Sequence, residues 1–122
     1  MNKLLVLTVA LLGALSPTLA SAQTHTGNLS LASQADVDAF DYTDITGSLT
    51  ISGADIVDLS PLSALSSVGS YISISQNASL MAVDAFESLT FLGGGLFVYS
   101  NPNLVTFSGF GALDATGDLS LI

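Results

Sequence analysis

The chain has 122 residues, 49% of them hydrophobic, no cysteine, and ten acidic side chains against a single Lys or Arg, for a formal net charge of −9. That one cation is Lys3, so the remainder can neither displace counterions from nucleic-acid phosphates nor bind an anionic membrane surface. So much apolar content excludes disorder, and a chain without cysteine holds its fold by packing alone.

In chain order, "MNKLLVLTVALLGALSPTLASA" (residues 1–22) comes first, with Lys3, an apolar run from Leu4 to Leu15, and Ala20-Ser21-Ala22. It reads as a secretory signal peptide with an A-x-A-like cleavage site. Its apolar run is shorter than the roughly twenty residues a membrane span needs. A secreted or cell-surface domain is therefore expected over residues 23–122, with Gln23 as the first mature residue. His25, so close to that terminus, reads as a tail residue.

"GNLSL" (Gly27–Leu31) is a candidate strand. "SQADVDAF" predicts a short N-terminal capping helix, with Ser33 as N-cap and Asp36 in the first turn, where the helix dipole favours acid. Val37 and Phe40 share a face and would close the apolar end of the domain. Asp36, Asp38, Asp41 and Asp44 fall within nine residues. Calcium takes several hard oxygens, but the spacing is not that of an EF-hand loop and a solvated acidic face is the commoner outcome. No cofactor is expected.

From Gly47 onward the chain repeats. "GSLTIS" (Gly47–Ser52), "SYISIS" (Ser70–Ser75), "GGLFVYS" (Gly94–Ser100) and "GDLSLI" (Gly117–Ile122) begin 23 or 24 residues apart. Each alternates as a half-buried strand does. Leu49/Ile51, Ile72/Ile74, Leu96/Val98 and Leu119/Leu121 are expected inward. Thr50/Ser52, Ser73/Ser75, Phe97/Tyr99 and Ser120/Ile122 are expected outward. Four further apolar columns keep register: Ile56, Leu80, Leu104; Leu59, Val83, Phe107; Leu62, Phe86, Phe110; Leu65, Leu89, Leu113. Such a period predicts a solenoid, whose units bury their apolar faces only by stacking.

Glycines at Gly69, Gly93 and Gly117 mark the corner before each strand, where small residues and positive φ are expected. Gly93–Gly95 superficially resembles a phosphate loop, but a strand follows it where a helix N-terminus would be needed. Asn77 and Asn101 match in position just after their strands and are expected to satisfy backbone groups there as a ladder from coil to coil. The ladder would begin at the second coil, because the first has Gly53. Ile122 falls where a strand ends, which predicts a solenoid incomplete at its C-terminus and open to self-association at its last strand.

At "ITGSLTISGADIVDLSPLSALSSVG" and "LFVYSNPNLVTFSGFGAL" the chain resembles the receptor L-domain family, through a G-x-L-x-I run, then N-x-x-L, then apolar residues at about every third position up to a glycine corner. The resemblance covers about residues 27–122. It implies a mainly β fold, a right-handed parallel β-helix with leucine-rich-repeat-like coils, used for recognition rather than catalysis. Receptor L domains carry disulfides and more coils than this chain has. No family binding residue transfers, because the matching positions are core and corner.

Three functional readings follow. The outward strand face, with Phe97 and Tyr99 and with Tyr71 at its corner, would offer aromatics beside hydroxyls to an unknown protein or carbohydrate ligand. Catalysis is disfavoured: Asp55, Asp58, Asp84 and Glu87 sit in loops without the facing pair that glycoside hydrolysis needs, and no Lys or Arg stands ready to stabilise an anionic intermediate. A regular threonine face of the ice-binding kind is also disfavoured, the column reading Thr50, Ser73, Phe97, Ser120. The expectation is a non-enzymatic recognition or adhesion module; the alternative is a structural fragment of a larger surface protein. Asn28-Leu-Ser30 and Asn77-Ala-Ser79 match the glycosylation pattern.

Overall fold

A computed structural model describes residues 23–113 and 119–121. The signal-like segment and the corner around Gly117 lie outside the described residues. Eleven short strands, all pairing in parallel, stack as a β-solenoid of about four turns. The repeat predicted from the sequence is thus the repeat of the fold.

Strands β2 (Leu29–Leu31), β4 (Leu49–Ile51), β6 (Ile72–Ser75), β9 (Leu96–Tyr99) and β11 (Leu119–Leu121) form a five-stranded sheet in the order β11-β9-β6-β4-β2. Its register matches the repeat: Leu29 lies opposite Leu49, then Ile72, Leu96 and Leu119. The inward residues Leu49, Ile51, Ile72 and Ile74 are fully buried, and Leu96 and Val98 nearly so. The candidate strand in "GNLSL" is β2, the first edge of this sheet.

Two further sheets are absent from the sequence reading. β1 (Thr24–His25), β3 (Asp44–Ile45), β5 (Ser67–Val68) and β8 (Phe91–Leu92) form a second face, and β7 (Ala82–Val83) with β10 (Thr106–Phe107) a third. All six strands have two residues, too short to show an alternation. Each of β3, β5 and β8 contributes one core residue: Ile45, Val68 and Leu92. His25 is therefore not a tail residue. It lies in β1, paired with Ile45, with its ring edge-on to Tyr42 at 5.0 Å.

The loop columns meet inside. Ile56, Leu62, Leu65, Leu80, Val83, Phe86 and Leu89 are fully buried and Leu59 nearly so, whereas Leu104, Phe107, Phe110 and Leu113 are partly buried against the same core. A coil is covered on both sides only in the middle of a stack, which explains the difference. Phe86 stacks on Phe110 at 5.1 Å, and Phe110 on Phe107 at 5.3 Å.

Helix α1 (Gln34–Asp38) follows β2. The Ser33 hydroxyl accepts the Asp36 N–H at 3.1 Å, while the Asp36 carboxylate accepts the Ala32 N–H at 3.0 Å, a reciprocal cap. Val37 and Phe40 are buried as expected. Gln34 ties the helix to the next coil: its Oε1 accepts the N–H groups of Val57 and Asp58, and its Nε2 donates to the Asp58 carbonyl.

The corner glycines hold their places for a different reason from the one expected. Neither Gly69 nor Gly93 has positive φ; that conformation occurs at Gly27, Gly109, Gln76 and Ser100. A Cβ on Gly93 would run into the Gly69 carbonyl oxygen, and one on Gly69 into that of Thr46. Close approach of one coil's backbone to the next is what excludes a side chain there.

Candidate functional site

The outer face of the five-stranded sheet is built on a fixed rung. Ser30, Thr50, Ser73 and Phe97 lie side by side, and Ser75 lies beside Tyr99. Phe97 and Tyr99 are two residues apart on one strand, so both leave the sheet on the same side. Tyr71, at the corner before β6, meets Phe97 edge-on at 6.1 Å. Tyr71 and Tyr99 are 40% and 38% exposed, while Phe97 is half-buried. Ser73 and Ser75 are buried although they face outward, as small side chains between larger cross-strand neighbours are. The result is a low floor of hydroxyls beside a raised aromatic rim.

None of these residues is charged. The acidic residues from Asp36 to Glu87 lie elsewhere: on and after α1, on the second sheet at Asp44, and in the loops at Asp55, Asp58, Asp84 and Glu87. With no Lys or Arg beyond Lys3, the described outward positions of the five-stranded sheet are neutral, as is the stretch from Ser88 to Leu113, which exposes Val105 on another side of the coil.

At the bend after the sheet, the asparagine ladder forms as read from the sequence. Asn77 is fully buried. Its Oδ1 accepts the Gly53 N–H at 2.8 Å, and its Nδ2 donates to the Ile51 carbonyl and to Asn101 Oδ1. Asn101 Oδ1 also accepts the Asn77 N–H, and Asn101 Nδ2 donates to the carbonyls of Ile74 and Tyr99. The ladder thus fixes the end of β9, where Tyr99 stands. Burial also removes Asn77 as a glycosylation acceptor. Asn28 is exposed, with its Oδ1 accepting from the Ser48 N–H and hydroxyl.

The acidic cluster does not converge. Asp36 caps Ala32, Asp38 accepts from Gln34 Nε2 at 3.0 Å, and Asp41 accepts from Gln23 Nε2 at 3.4 Å. Asp44 turns to its own sheet, where the hydroxyls of Ser67 (2.5 Å), Thr43 (2.8 Å) and Ser66 (3.5 Å) hold its carboxyl below the usual aspartate range against a smaller opposing effect of burial. Among the described residues no group of three His, Asp or Glu is placed to hold a metal ion.

Two features escaped the sequence reading. Phe91, half exposed on the second sheet, carries its ring towards Gly93. A cleft of about 190 Å³ opens at the N-terminal end of the stack, between Leu29 and Leu31 on one side and Phe40 and Tyr42 on the other, with Asp36 as its carboxylate. Neither has a sequence signal, since both arise from how the first coil and the corner close.

Comparison with family models, with curated proteins and with solved structures finds no match to this chain. No helix among the described residues is long and apolar enough to cross a membrane.

Proposed function

We propose that the chain is a secreted or cell-surface recognition and adhesion module of receptor L-domain type. It presents the outer face of its five-stranded sheet to a protein or carbohydrate partner, with Tyr71, Phe97 and Tyr99 as the contact residues. The observation that carries this reading is the grouping of Tyr71, Phe97 and Tyr99 beside hydroxyls on an uncharged sheet face. Desolvating such a face costs no ionic hydration, and partly exposed Tyr and Phe supply most of the contact energy of typical recognition surfaces. The signal-like segment over residues 1–22 supports export.

The role is non-catalytic. Asp58 accepts the Ser60 N–H at 2.9 Å, which lowers its pKa, and Asp55 accepts the Gln34 N–H at 3.3 Å. Carboxylates committed to local turns are poorly suited to serve as a general acid and base across a bond. The N-terminal cleft is lined by one carboxylate, Asp36, which already caps Ala32.

The test is saturable binding of the labelled protein to the envelope fraction of the producing cell. The double variant Phe97→Ala/Tyr99→Ala is expected to weaken binding about tenfold or more. Equal binding by variant and parent would overturn the proposal.

A further inference from the structure

We infer that the occupant of the sheet face is a neutral polysaccharide chain. This rests on the sheet-face reading above and specifies its ligand.

The first ground is the chemistry of the face. A pyranose ring has an apolar C–H surface and a polar hydroxyl edge. It therefore needs an aromatic ring to lie against and hydroxyl groups beside that ring. Tyr71, Phe97 and Tyr99 supply the rings, while Ser30 and Thr50 continue the same rung with hydroxyls. Tyr adds a phenol to its apolar body, so one side chain serves both needs.

The second ground is shape. A protein partner gains most of its affinity by seating a few anchors in fully desolvated pockets. The floor at Thr50, Ser73 and Ser75 is made of small side chains on strands about 4.8 Å apart, and it forms a low shelf beside the rings of Phe97 and Tyr99. The cleft described above opens at the N-terminal end of the stack, where Ser30 at the edge of this shelf joins Leu29, Phe40 and Tyr42 in its lining. An extended polymer lying across successive strands would pass from the hydroxyls of Ser30, Thr50 and Ser73 to the ring of Phe97 on the same rung. The arginine and methionine that enrich protein interfaces are missing from it as well, since Met81 lies on another side of the coil.

The third ground is charge, which selects among polysaccharides. The surrounding faces carry Asp36, Asp38, Asp41, Asp44, Asp55, Asp58, Asp84 and Glu87 with no Lys or Arg among the described residues. A uronate, sulfated or phosphate-bearing polymer would approach against that field. A cationic partner would be drawn to the acidic faces instead of this one. A neutral chain meets neither obstacle, and its binding should be nearly independent of salt.

The test is affinity electrophoresis in native gels cast with neutral polymers (a β-glucan, a galactomannan and dextran) or with polyanions (alginate and polygalacturonate). The neutral series is expected to retard the protein equally at low and high salt, and the polyanions are expected not to. Phe97→Ala/Tyr99→Ala should weaken retardation about tenfold or more, and Tyr99→Ser alone, at an exposed site, by a smaller factor. Retardation by polyanions only, or by no polymer, overturns the inference.

Envelope binding separates this inference from the reading beneath it. Periodate destroys glycans and should abolish binding, while protease treatment of the envelope should leave it. Loss after protease with survival after periodate would identify a protein partner; the sheet-face reading would stand and the polysaccharide inference would fall. Equal binding by parent and both variants would overturn the sheet-face reading itself.

Discussion

Asn77 does more for the fold than its size suggests. Three groups from the two neighbouring coils converge on one fully buried side chain: the Gly53 N–H, the Ile51 carbonyl and Asn101 Oδ1, the last of which also accepts the Asn77 backbone N–H. Truncation would remove the acceptor of the Gly53 N–H and the donor to the Ile51 carbonyl and to Asn101 Oδ1, and a polar group left unpaired costs about 1–3 kcal/mol. Asn77→Ala is therefore expected to destabilise the protein by about 2–5 kcal/mol, measured as the change in urea midpoint at constant slope. Asp44 makes the corresponding acid-side prediction. Ser67 and Thr43 donate to its carboxylate and depress its pKa, so in the window below the ordinary value of about 3.9 the unfolded chain binds more protons than the folded one. Its contribution is whole above that value and disappears as pH falls through the depressed one. Asp44→Asn should melt below the parent at neutral pH, and the difference should shrink as the pH falls through the depressed pKa.

At the scale of elements, what could be read depended on length. The strands of the main sheet are long enough for Leu49/Ile51 or Leu96/Val98 to alternate with polar or exposed neighbours, and the helix announced itself through Ser33 and Asp36. The two-residue strands of the second sheet show no alternation, so the pairing of Val68 with Leu92 left no mark in the sequence. Gly69 and Gly93 do stand where one coil turns into its strand, but positive φ is not what holds them there. Their constraint is the carbonyl of the preceding coil, which no local sequence can show. The candidate site divides in the same way: Phe97 and Tyr99 were legible from alternation, whereas the burial of Ser73 and the edge-on contact of Tyr71 with Phe97 depend on neighbouring strands. One element-scale expectation follows. Ser33→Ala removes the helix cap and should cost about 1 kcal/mol, with enhanced hydrogen exchange confined to α1 and the adjoining first coil if the cap acts locally.

The whole molecule combines two patterns with different periods. Apolar columns repeat once per coil and stack into one continuous core from Leu31 to Val98 and beyond, so each coil depends on its neighbours for stability. Among the described residues the charges do not repeat with the coil; they occupy the helix and the residues after it, the second sheet and the loops, and none falls on a strand of the five-stranded sheet. At a half-exposed outward position such as Thr50 a carboxylate would be solvated at little cost, so folding does not demand neutrality there. The neutrality is intelligible as the property of a surface that must shed water and accept a partner. The most direct test is to put a charge at the centre of this face and, separately, on another side of the coil. Thr50→Glu is compared with Ala64→Glu, both positions being at least partly exposed, with melting temperatures measured alongside binding to the envelope fraction. The expected result is near-parental stability for both, with binding about tenfold weaker or worse for Thr50→Glu alone. Binding by Thr50→Glu at parental affinity would contradict the assignment of this face to recognition.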